Sequence, residues 1–234
     1  MNRRAFGVTL IGGALTAAGA SVATPRLSRA ANPVNGGRLN AHLAELSRFG
    51  ANPQGGVTRV AYSDADKEAR ATVMRWMREA GLEPTVDFAG NIFGRRAGSD
   101  PTLKPLVFGS HVDSVPEGGN YDGPLGTLAA IEVAQTLREG ATPLRHAIEV
   151  VVWSNEEGGL YGSRAVSGQL APAELKNVSA SRKTIEEGIA FLGGDPANLA
   201  QVVRKRGDIA GYFELHIEQG GILDQTMTAV GIVE

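Results

Sequence analysis

LVFGSHVDSVPEGGNYDGPLGTLAAIEVAQTLREGATPLRHAIEVVVW, residues Leu106 to Trp153, carries two apolar runs on either side of a helical pattern. Leu106-Val107-Phe108 is a short apolar run and Ala147 to Trp153 a longer one, and both have the composition of buried strands. Gly123 to Leu137 between them reads as a helix. Strand, helix, strand is the unit that builds a sheet with covered faces, so the stretch predicts an α/β protein. Each run ends in polar residues: His111 and Asp113 follow the first, Ser154-Asn155-Glu156-Glu157 the second. Sheets of this kind bind ligands beyond the carboxyl ends of their strands.

Upstream, Leu39, Leu43 and Leu46 recur at the spacing of one helix face from Gly37 to Phe49, and Gly50 ends the pattern. A second helix is expected from Asp64 to Ala80, capped by Ser63 or Asp64 and followed by Gly81. Thr85 to Phe88 and Asn91 to Arg95 read as short strands joined in a hairpin at Ala89-Gly90. Downstream, Thr184 to Leu192 has helical character. Tyr212 to Ile217 reads as a strand with Glu214 and His216 on one face and Phe213, Leu215 and Ile217 on the other.

The 234 residues are 42% hydrophobic and 21% charged, enough to bury a real core, and 31 glycines favour tight turns over a helical bundle. There is no cysteine, which excludes thiolate metal sites, disulfides and cysteine nucleophiles; any metal must be held by nitrogen and oxygen. Residues 1–31 contain Arg3, Arg4, Arg26 and Arg29 and no acid, so the formal charge of −2 becomes −6 without these four cations. That acidic balance argues against a nucleic-acid partner. Arg204-Lys205-Arg206, the basic run, reads as a solvated turn. The first 31 residues combine a basic start, a mild apolar run from Val8 to Ala20 and small residues at Ser21-Val22-Ala23, the pattern of an export signal. Arg3-Arg4 followed by Phe6 resembles a twin-arginine signal, which implies a periplasmic or surface location. The apolar run is too short to span a membrane stably.

His111 and Asp113 are two residues apart and point to one side of an extended backbone, so the carboxylate is placed to orient the imidazole. Asp122 lies across a glycine-rich loop that can fold back to the histidine. Adjacent carboxylates at a strand end, Glu156 and Glu157, can divide labour, one binding a cation and one taking a proton. A lone pair of this kind is usually surface charge; it gains weight here by following VVVWSN. His216 is either a satisfied core histidine or a ligand, and the polar strand end ELHIEQGG makes the second reading competitive. Imidazole with carboxylate fits Zn, Mn, Co or Ni, and two such ions sharing one carboxylate form a hydrolytic centre. His42 and His146 read as structural or surface residues.

GSHVDSVPEGGNYDGPLG, WSNEEG and FELHIEQG, in that order, resemble the metal-dependent amidohydrolases of the M20 peptidase superfamily. The branch is that of N-carbamoyl-L-amino-acid hydrolases, β-ureidopropionases and allantoate amidohydrolases, and GGVTRVAYSDADKEAR and GNIFGRR are similar to it too. The resemblance implies a zinc-peptidase-like catalytic domain with a mixed sheet and helices on both faces. It further implies that His111, Asp122 and His216 hold one metal, that Asp122 bridges to a second ion bound also by Glu157, that Glu156 is the general base, that Asp113 steadies His111, and that Gln219 contacts substrate. The implied reaction is hydrolysis of an amide or ureido C–N bond by metal-activated water, with an N-carbamoyl-L-amino acid as the leading substrate and allantoate as the alternative. The family is expected to be homodimeric.

Two departures stand out. Gly158 to Tyr161 is shorter than the corresponding family segment, which alters the expected pocket. The sequence stops at Val230-Gly231-Ile232-Val233-Glu234, near where the family inserts its lid and dimerisation domain. Residues 37–234 are therefore expected to form the N-terminal part of the catalytic domain, incomplete at the C-terminus, with one metal fully liganded and the other held by Asp122 and Glu157 only. Poor turnover and exposed strand edges follow as expectations, and an inactive metal-binding remnant is the reading from another class.

Overall fold

The structure is a computed structural model, and it describes residues 33–233. Strand β1 (Glu83–Val86) and strand β2 (Ile92–Arg96) form an antiparallel hairpin. Asp87 closes its turn by accepting the N–H groups of Ala89 and Asn91. This acceptor geometry ends β1 at Val86, two residues before the expected limit. Strand β3 (Leu106–His111) and strand β4 (Ile148–Trp153) are parallel and paired along all six residues. β4 also pairs antiparallel with β2, and strand β5 (Gly211–Phe213) runs parallel to β3. The sheet is thus mixed, in the order β1-β2-β4-β3-β5.

Helix α1 (Gly36–Leu46), helix α2 (Asp64–Glu79) and helix α3 (Pro124–Glu139) cover one face. Ser63 caps α2, as expected, by accepting the Asp66 N–H. Val73, Trp76, Met77, Leu128 and Ile131 pack there with Ile92, Ile148, Val150 and Val152. Alternation along β2, β3 and β4 sends Phe93, Val107 and Val151 to the opposite face, where Val166 of helix α4 (Tyr161–Val166) joins them. Helix α5 (Ile185–Phe191) builds a smaller cluster with Tyr62 and Tyr161. Helices on both faces of a mixed sheet are the architecture the motifs implied. Among the described residues no helix is long and apolar enough to cross a membrane. The export signal read in residues 1–31 lies outside the described residues.

The strand expected from Tyr212 to Ile217 is paired only as far as Phe213. Beyond it the chain lies against the first turn of α3, where a Cβ on Gly126 would sit 2.1 Å from the Leu215 carbonyl oxygen. The outer edge of β5 is open, and Phe213 is 63% exposed. The basic run also differs from expectation: Arg204 is half-buried over the Phe93 ring and bonds Glu149 at 2.7 Å, while Lys205 and Arg206 are exposed.

Candidate metal centre

β3 delivers His111 as its last residue, with the side chain buried. Its Nδ1 is 3.0 Å from the Asp113 carbonyl oxygen. An N–H at Nδ1 donates there, and the Nε2 lone pair is left facing Asp122 and Glu156, whose oxygens are 3.8 and 3.5 Å away. Thr127 of α3 donates to the His111 carbonyl at 3.0 Å. Gly123 has φ +80, and a Cβ added there would lie 2.4 Å from the imidazole. A side chain at that position would displace the histidine, so the glycine is required both by conformation and by space.

Asp122 ends the glycine-rich loop and brings Oδ1 within 3.2 Å of His216 Nε2. The His111 and His216 rings are 5.8 Å apart at an interplanar angle of 27°. His111, Asp122 and His216 can each offer one ligand atom, and these three atoms lie within 4.8 Å of one another. Two imidazole nitrogens and a carboxylate oxygen are the donor set that a sequence without cysteine allows for a transition metal. It is the one such group among the described residues.

Asp113 does something other than what its spacing suggested. Its nearest carboxylate oxygen is 3.7 Å from His111 Nδ1, too long for a hydrogen bond, and the backbone carbonyl orients the ring instead. The carboxylate accepts the backbone N–H groups of Glu156 and Glu157 at 3.4 and 3.1 Å. It therefore pins the turn after β4, in which Asn155 has φ +47. Glu156 and Glu157 are both pushed up in pKa, first by burial, against the opposing pull of His111. Asp113 and Glu157 raise Glu156 further, and Asp122 adds to the rise at Glu157. Glu157 lies outside the three-ligand group and borders a cavity of about 90 Å³ with Asp113 and Asn155. Gln219 donates to both Asp122 oxygens, at 3.0 and 2.8 Å, a contact the sequence did not foretell. Equally unforeseen is Glu214, whose carboxylate accepts from Ser110 of β3 at 2.6 Å; the one sequence signal for it was its place on the same strand face as His216.

The other two histidines are structural. His42 stacks on Trp76 at 4.2 Å, and His146 Nδ1 bonds the Lys104 carbonyl at 2.7 Å. A larger cavity, about 720 Å³, opens beside the centre, with Glu156, Glu214, Trp153 and Tyr212 on its wall.

The model of Peptidase family M28 matches residues 91–183. An N-carbamoyl-L-amino acid amidohydrolase from Geobacillus stearothermophilus is 43% identical over 205 residues, which are 86% of this chain and 50% of that protein. A ureidoglycolate hydrolase from Arabidopsis thaliana is 33% identical over 83% of this chain and 43% of its own length. The crystal structure of an amidase of the hydantoinase/carbamoylase family from Burkholderia multivorans superposes with TM-score 0.76 at 40% identity, covering 84% of this chain and 48% of that one. The chain spans about half the length of the curated relatives it matches. The sheet, the candidate ligand trio and these likenesses agree, and over about half the length of those proteins the chain is similar to amidases of the hydantoinase/carbamoylase family.

Proposed function

We propose that residues 37–234 are the N-terminal part of the catalytic domain of an enzyme that hydrolyses a ureido C–N bond, with an N-carbamoyl-L-amino acid as substrate. The observation that carries this is the convergence of His111, Asp122 and His216 from three separate segments onto one point. These residues would hold a divalent ion, and Glu157 with Asp122 would supply oxygens for a second. A bound divalent cation polarises a carbonyl and lowers the pKa of water. Glu156 has its carboxylate 3.5 Å from His111 Nε2 and its basicity raised by burial, which suits a group that takes a proton from water and returns it to the leaving nitrogen. Asp113 holds the Glu156 main chain in place for that transfer. The leader read in residues 1–31 directs the chain to the periplasm in this reading.

Metal analysis and ammonia release test it together. A tightly held ion in the unsubstituted chain, lost in His111→Ala, with ammonia released from N-carbamoyl amino acids faster than from allantoate, is the expected result. A chain that purifies and reconstitutes without metal overturns it. One observation favours a second reading, a metal-binding module without turnover: the described ligand trio completes one ion position only. An ion held tightly with no ammonia from either substrate would select that module.

A further inference from the structure

The ladder between β3 and β5 has three rungs, the last pairing Phe108 with Phe213. His111 and His216 each lie three residues beyond that rung, so no main-chain pairing sets the distance between them. One side chain crosses the gap. Glu214 Oε1 accepts from the Ser110 hydroxyl at 2.6 Å, and Ser110 is fully buried and adjacent to His111. Glu214 Oε2 accepts from the Tyr212 hydroxyl at 2.5 Å, and that oxygen in turn accepts from Trp153 Nε1 at 2.9 Å. Trp153 is the register partner of His111 on β4. The carboxylate is thus tied at one oxygen to the residue before His111 and at the other, through Tyr212, to the residue beside it. An ionised carboxylate is an acceptor at both oxygens, and so satisfies two converging hydroxyls at once.

We propose that Glu214 is a positioning residue: it replaces the missing rungs of the ladder and fixes the segment carrying His216 against β3, so that the two imidazoles face one ion. The inference rests on the metal-centre reading above. Groups that orient metal ligands from outside the ligand set commonly cost ten- to a hundredfold in metal affinity when removed, and Glu214 would orient His216 through the main chain the two share.

The experiment uses the full chain loaded with Co²⁺, with affinity and the visible ligand-field spectrum as readouts. Glu214→Ala is expected to bind Co²⁺ about ten- to a hundredfold more weakly and to give the altered spectrum of His216→Ala. Glu214→Gln keeps the reach of the side chain and its acceptor for Ser110, and is expected to restore most of the affinity. Ser110→Ala, which removes one tie and no charge, is expected to fall between them. Because the effect runs through His216, adding Glu214→Ala to His216→Ala is expected to cost nothing further. Unchanged affinity and spectrum in both Glu214→Ala and Ser110→Ala would overturn the proposal, as would full additivity with His216→Ala. Should Glu214→Ala fail to fold, the Ser110→Ala and Glu214→Gln comparison decides alone. Absence of Co²⁺ binding by the unsubstituted chain would instead overturn the metal centre itself.

Discussion

His111 and His216 face each other, yet opposite kinds of structure hold them. His111 ends a central strand that is paired to β4 along its whole length, and its ring is 1% exposed. Thr127 bonds its carbonyl, Gly123 closes over its ring, and Arg59, itself buried, fastens the next residue through the Val112 carbonyl at 2.6 Å. His216 belongs to the open edge of the sheet, beyond a three-residue strand, with 27% of its side chain accessible. A complete strand ladder and buried hydrogen bonds fix the first histidine; side-chain hydrogen bonds at an open edge fix the second. One candidate metal centre thus joins a ligand set in the buried interior to a ligand held by polar contacts at the sheet edge.

The largest expected effect lies on the core side. Trp76 is buried among Val73, Met77 and the inner face of the sheet, so Trp76→Ala is expected to lower unfolding free energy by about 3–5 kcal/mol in denaturant titrations. A loss below about 1 kcal/mol would mean that the central half is not the rigid one.

Next in size is a pH effect on the same side. Burial pushes Asp66 up to about 6, against the pull of Arg70 and the N–H of Tyr62. A carboxyl raised in the folded state binds more protons folded than unfolded between about 4 and about 6, so its contribution is favourable at low pH and is lost as pH rises through that window. The shift corresponds to about 3 kcal/mol. Asp66→Asn removes this titration, so stability of the unsubstituted chain relative to the variant should fall by that order between pH 4 and pH 7. Melting curves across the range check it, and a constant difference would refute it.

Gly123→Ala sharpens the contrast at the site. A left-handed backbone and a Cβ 2.4 Å from the imidazole predict about 1–3 kcal/mol of destabilisation together with weakened Co²⁺ binding. Retained affinity would show that His111 is less confined than its burial indicates. The smallest effect belongs to the edge. Phe213→Ser removes an apolar group already 63% exposed and should change stability by no more than about 0.5 kcal/mol while reducing self-association in light scattering.

Apolar runs and their polar ends located β3, α3 and β4, since burial on both faces of a strand demands consecutive apolar residues and a crossover helix lies between parallel strands. His111 and the carboxylates at strand ends stood out as candidates because polar groups at the end of an apolar strand call for a partner, whereas the residue pattern left His216 open between a core histidine and a ligand. Less legible were the contacts that cross large sequence separations, such as Arg204 on Glu149 and Ser110 on Glu214, because no local pattern encodes which loop returns to which strand.

The α/β class and the covered faces of the sheet were readable from the chain alone, because periodicity is a local property, and His111, Asp122 and His216 were named together as candidate ligands only through the motifs' resemblance to a family. Long-range packing set the rest: the Asp113 carbonyl rather than its carboxylate turns the His111 ring, β5 stops at Phe213, and Glu214 spans the gap beyond it. Each of these is settled by where two distant backbones meet, and that distance is written in the packing of the whole domain rather than in any one stretch.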